Sequence, residues 1–80
     1  MKDRIKQVMA SVLRTDISAI DENTSPETIE MWDSINHMNL ILALEEEFGV
    51  EFENEEIVNM LNYKLIYLTL NEKLNLKNIL

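Results

Sequence analysis

Apolar residues in the first stretch of the chain recur with helical spacing. Ile5, Val8, Met9, Val12 and Leu13 fall at i, i+3, i+4, i+7 and i+8, which predicts a helix from about residue 2 to residue 14. The stretch from Asp16 to Pro26 has no such period, and Ile17 and Ile20 are its candidate core anchors. Within it, Ser25 before Pro26 has the order of a helix cap and a first helical residue, enough for one turn through Thr28 or Ile29. A second long helix is predicted from near Ser34 to Gly49, a residue suited to a left-handed C-terminal cap. Val50, Phe52 and Ile57 pack the return, and Asn54 is the candidate cap of a short third helix with Glu55 and Glu56 in its first turn. Asn62 can cap a fourth helix with the stripe Tyr63, Ile66, Tyr67, Leu70 and Leu74. Fraying is expected after Asn75, in a tail (76–80) whose Leu76, Ile79 and Leu80 are apolar enough to fold back. The predicted fold is all-α, a single domain over residues 1–80: a four-helix bundle of three longer helices and one short, with a long first loop.

The second helix has more apolar surface than a four-helix bundle needs. At 100° per residue, His37, Leu40, Ile41, Leu44 and Phe48 form one core-facing stripe. Ile35, Met38 and Leu42 form a second stripe, beside Ser34 and close to Glu45. Either the helix meets several neighbours and buries both stripes, or the second is an exposed patch suited to a partner.

Composition narrows the classes. A chain of 80 residues that is 46% hydrophobic can form one small core despite a net charge of -8. With no cysteine and one histidine, disulfides, thiolate chemistry and ordinary histidine metal sites are excluded. Met1 to Lys6 leads straight into a helical pattern without a secretory apolar core, and no apolar run approaches a membrane span, so a cytoplasmic monomer is expected. All Lys and Arg lie in Lys2 to Arg14 and Lys64 to Lys77, whereas every Asp and Glu except Asp3 and Glu72 lies between Thr15 and Tyr63. That field disfavours nucleic acid and anionic membrane and attracts basic partner surfaces. Its plainer explanation is a solvated surface that keeps the protein soluble.

Candidate chemistry gathers at Asp33-Ser34-Ile35, where the second helix starts. A primary hydroxyl at a loop-to-helix junction is accessible, and a phosphodiester placed there meets unpaired backbone N–H groups and the positive end of the helix dipole. Alone, the tripeptide is equally a helix cap through Asp33 or Ser34. Followed by Met38, Leu40, Ile41 and the run from Ala43 to Val50, it closely resembles the Asp-Ser-Leu segment and second helix of acyl carrier proteins. Leu13 to Ile17 resembles the end of that family's first helix, Ser25 to Trp32 its approach loop, and Phe52 to Ile57 the start of its third helix. About residues 3–74 fit, and the block from Trp32 to Phe52 is highly specific.

The resemblance implies a carrier rather than an enzyme. Ser34 would bear a covalent 4'-phosphopantetheine, with Asp33 assisting its recognition and modification. Acyl intermediates would ride on that arm as thioesters for fatty-acid, polyketide or other specialised biosynthesis. Ile35, Met38, Asn39, Leu42, Glu45 and Glu46 would form the partner surface, and Leu40, Leu44, Phe48 and Ile57 would line an acyl pocket. The implied partners are a phosphopantetheinyl transferase, an acyl-loading ligase or transferase, and synthases or transferases with basic docking patches.

Several positions depart from the family pattern. Ile35 replaces the usual leucine, Asn36 and Asn39 stand where many fatty-acid carriers have acids, and Met31 stands where glycine is common. A side chain at Met31 would stiffen the approach loop and could lean against the arm, and Trp32 resembles carriers of dedicated biosynthetic clusters. His37, one turn after Ser34, either touches the arm or closes the mouth of the bundle as a neutral polar residue; first-turn polar residues need no function, which favours the second. The rival readings are an aminoacyl or peptidyl carrier and an unmodified acidic interaction module; Glu45-Glu46-Glu47 favours acyl cargo. A calcium loop at Asp21 is rejected, because Pro26 occupies the glycine position and Trp32 the twelfth.

Overall fold

Ile5, Met9 and Leu13, four residues apart, are all fully buried and define the face that helix α1 (Lys2–Leu13) turns to the core. The structure is a computed structural model that describes the backbone of residues 2–79 and the side chains of residues 2–75. Three further α-helices follow, α2 (Ser34–Phe48), α3 (Asn54–Asn59) and α4 (Tyr63–Ile79), and no strand is present among the described residues. The protein is an all-α four-helix bundle.

Each helix ends for a local reason. Arg14 adopts φ 54 and turns the chain out of α1, with Thr15 N–H closing on the Ala10 carbonyl at 3.0 Å, so α1 stops at Leu13 rather than 14. Gly49 takes the left-handed cap of α2 at φ 64, without the Cβ penalty that Arg14 bears. The cap of α3 is Glu53, one residue before the Asn54 expected: Glu53 and Glu56 form a capping box in which each carboxylate accepts the other's backbone N–H. Asn62 caps α4 as predicted, its Oδ1 accepting Leu65 N–H at 2.7 Å. Helix α4 continues to Ile79, past Asn75. The fold-back of Leu76, Ile79 and Leu80 lies outside the described side chains.

The first loop is short of regular structure but well tied. It contains a 3-10 turn at Ile17–Ala19, followed by Ile20 in extended backbone. Ile20 reaches the core, whereas Ile17 is 45% exposed; a three-residue turn carries only its exit residue inward, so Ile17 is no core anchor. Thr24 is buried with its hydroxyl accepting Asp21 N–H and donating to the Ala19 carbonyl. The Thr24 carbonyl accepts Tyr63 N–H at 3.1 Å and pins the loop to the start of α4. Ser25 and Pro26 form a single turn in which Thr28 and Ile29 N–H return to the Ser25 carbonyl.

Cations from both ends of the chain meet acids and aromatic rings. Arg4 pairs with Glu47, and Lys73 bonds Glu56 at 2.9 Å. Lys2, Lys6 and Lys73 also lie over the rings of Tyr67, Tyr63 and Phe52 at 5.0, 5.5 and 5.8 Å. From Thr15 to Tyr63, a stretch that includes the whole of α2, the chain has no Lys or Arg.

Candidate functional site

At the start of α2 the capping job falls to Asp33. Its backbone is extended, and its Oδ1 accepts Asn36 N–H at 2.8 Å while its carbonyl accepts His37 N–H at 2.8 Å. Ser34 is therefore the first helical residue, and its exposed hydroxyl is not spent on the cap. The amides of Ser34 and Ile35 have no intrahelical acceptor and carry the positive end of the helix dipole. Asn36 ties the approach loop to the helix by donating Nδ2–H to the Met31 carbonyl at 2.7 Å, and Asn39 donates to Asn36 Oδ1 at 3.2 Å. A carboxylate at 36 could only accept and could not make the bond to Met31.

Behind Ser34 runs a second set of hydrogen bonds. Trp32, 2% exposed, donates Nε1–H to His37 Nδ1 at 3.0 Å, with the rings stacked at 6.1 Å between centroids. An indole N–H only donates, so Nδ1 is the unprotonated nitrogen and Nε2 carries the hydrogen. Nε2–H donates to the Ile57 carbonyl at 2.7 Å. His37 is thus a neutral residue bridging the approach loop, α2 and α3, with neither ring nitrogen left to activate Ser34. On the outer side of this bridge lies an open cavity of about 520 Å³. Asp33 and Ser34 line it together with Trp32 and His37 of the bridge, with Ile57, Val58 and Leu61, and with Pro26 and Met38.

The second apolar stripe of α2 is exposed: Ile35 by 75%, Met38 by 46% and Leu42 by 59%. This decides against a core wide enough to bury it. Asn39 and Glu46 are exposed in the same sector of the helix. Glu45 turns inward instead, half-buried, with Oε2 accepting Phe52 N–H at 2.8 Å and holding the loop between α2 and α3. Leu40 and Leu44 are fully buried in the core and Phe48 packs against it, so of the four residues expected around a pocket only Ile57 lines the Ser34 cavity. Met31 faces a different cavity, shared with Leu13 and Thr24.

A family model described as the phosphopantetheine attachment site matches residues 3–62. The chain belongs to this family of carrier proteins. The match takes in α1, the first loop, α2 and α3, every element that builds the cavity beside Ser34. Carriers of this family hold 4'-phosphopantetheine covalently on a serine. The start of α2 fits such a group: it offers an exposed hydroxyl, two outward amides for a phosphate and an apolar cavity alongside. No curated protein matches the chain. Two features of this carrier escape sequence reasoning. The Trp32–His37–Ile57 bridge has only a weak signal, an aromatic and an imidazole five residues apart across a helix start. The inward turn of Glu45 has none, since a glutamate beside two others reads as surface.

Proposed function

We propose that this carrier bears its 4'-phosphopantetheine on Ser34 and presents acyl cargo to the enzymes of a specialised biosynthetic route. The observation that carries the reading is the exposed Ser34 hydroxyl at the first residue of a capped helix, opening onto an apolar cavity. The outward amides of Ser34 and Ile35 suit the phosphodiester, and Asp33 holds the helix start in shape for the transferase. When attached, the arm supplies a terminal thiol that holds acyl groups as thioesters.

Partner enzymes dock on Ile35, Met38 and Leu42, with Asn39 and Glu46 beside them, and present an apolar surface with a basic rim. With Glu45 engaged by Phe52 N–H, and Asn36 and Asn39 uncharged, this face has fewer free acids than its sequence suggests. It suits dedicated partners better than the strongly basic patches of general fatty-acid enzymes. The partners in this reading are a phosphopantetheinyl transferase, an acyl-loading ligase or transferase, and the enzymes that elongate or transfer the acyl group.

The test is intact mass after incubation with coenzyme A, magnesium and a broad-specificity phosphopantetheinyl transferase, beside Ser34→Ala. A gain of one phosphopantetheine in the parent alone is expected. A gain in both would move the attachment to another serine, and a gain in neither would leave an unmodified interaction module.

A further inference from the structure

We propose that the cargo of this carrier lies outside the bundle, in the cavity beside Ser34, and is a short acyl group rather than a long alkyl chain. The inference rests on Ser34 bearing the arm and goes on to say where its cargo sits. The direct route from Ser34 into the core runs along the inner face of α2, and its first residue is His37, one turn on. That side chain is fastened at both ends, by Trp32 Nε1–H on Nδ1 and by the Ile57 carbonyl on Nε2. A chain entering here must break both bonds and strand an indole N–H and a carbonyl in a site where Trp32 is 2% exposed. Beyond His37 lie core residues shut off from solvent: Leu40, Ile41 and Leu44 are at most 1% exposed.

The outer side offers the opposite. The cavity opens to solvent, begins at Ser34, and has apolar walls in which Met38, Val58 and Leu61 are substantially exposed. Cargo folded back from Ser34 covers these side chains without displacing any core residue. At about 520 Å³ the cavity must take the end of the arm as well, so only a few carbons of cargo gain shelter. Further methylenes stay in water and gain nothing from the protein. A partner enzyme therefore meets its substrate at the surface, with no extraction step.

The experiment loads the full chain from acetyl-, hexanoyl- and dodecanoyl-coenzyme A with a phosphopantetheinyl transferase. Intact mass verifies attachment, and methyl NMR and thermal melting then read the location of the chain. The expected result is movement of the Met38, Ile57, Val58 and Leu61 methyls in every form, with Leu40, Ile41 and Leu44 unmoved and no rise in Tm from hexanoyl to dodecanoyl. In His37→Ala, or in the milder Trp32→Phe should the first not fold, the dodecanoyl form moves the Leu40 and Leu44 methyls. Interior methyl shifts that grow with chain length in the parent would overturn the proposal while leaving the carrier reading intact. So would interior methyls that stay silent in both variants, since the bridge would then not be what closes the core. Absence of any mass gain would instead remove the carrier reading itself, and the inference with it.

Discussion

The bridge at the helix start can be weighed by a double-mutant cycle. Trp32→Phe keeps an aromatic ring in the core but deletes the Nε1–H that His37 Nδ1 accepts at 3.0 Å. Stranding that acceptor costs about 1–3 kcal/mol. Shrinking an indole that is 2% exposed adds on the order of 1 kcal/mol for the space left behind. His37→Ala strands both the Trp32 N–H and the Ile57 carbonyl, which is expected to cost about 2–4 kcal/mol. The Trp32–His37 bond is broken in both single variants yet can be lost only once. The double variant strands neither the Trp32 N–H nor the His37 acceptor, so it should fall short of the sum of the two by about 2 kcal/mol or more. For 80 residues a total stability of about 4–12 kcal/mol is expected, so losses of this size are well within measurement. Urea unfolding followed by far-UV circular dichroism provides the four free energies, compared at a shared m-value. Additivity of the two substitutions within about 0.3 kcal/mol would refute the reasoning, because the bond would then contribute nothing.

Other expectations follow from single contacts. Asp33→Ala removes the α2 cap and should cost about 1 kcal/mol, whereas Asp33→Asn keeps an acceptor for Asn36 N–H and should cost about half that or less; equal losses would mean that charge, not capping, matters here. Burial alone would raise the Glu56 carboxyl, but the Glu53 amide and Lys73 outweigh it and hold it below its ordinary 4.5. Its contribution to stability is therefore complete above that value and fades as pH falls through the lower folded one, so Glu56→Gln should make the acid limb of the stability–pH curve shallower, and an unchanged limb would contradict this. Leu44→Ala should cost about 2–5 kcal/mol by opening a fully buried site, while Leu42→Ala, two residues away and 59% exposed, should stay within about 0.5 kcal/mol; similar melting temperatures for the two would reverse the assignment of faces. Arg14→Gly relieves a left-handed residue and should gain about 1 kcal/mol, read as a rise in Tm.

The helices were legible because their signals are redundant. In α1 and α4 the same residues that set the period also fill the core, and Gly49 and Asn62 each mark a helix end as a single residue, the one by lacking a Cβ and the other through its side-chain oxygen. The cap of α3 was misplaced by one residue because Glu53 caps only in partnership with Glu56, and Asn54 beside it is intrinsically the better cap. Ile17 misled because an apolar residue in a short turn has no neighbouring period to show which way it faces. At the site, a helical wheel separated the two stripes of α2, but only the packing of the other helices showed that one of them stays in water. Glu45, Asn36 and His37 spend their side chains on backbone groups of other segments, a choice that depends on tertiary placement.

The chain has a single tryptophan, and it stands two residues before the serine proposed to bear the arm, dry and bonded to an imidazole. Indole emission is sensitive both to water and to its ring neighbours, so this placement makes the protein its own optical gauge. Cargo settling in the cavity that Trp32 lines changes the surroundings of the ring and with them its emission, and a red shift would announce water reaching the indole as its bond to His37 opens. Attachment, acylation and transfer to a partner can then be timed on unlabelled protein, in a stopped-flow cell, from light emitted beside the reacting hydroxyl.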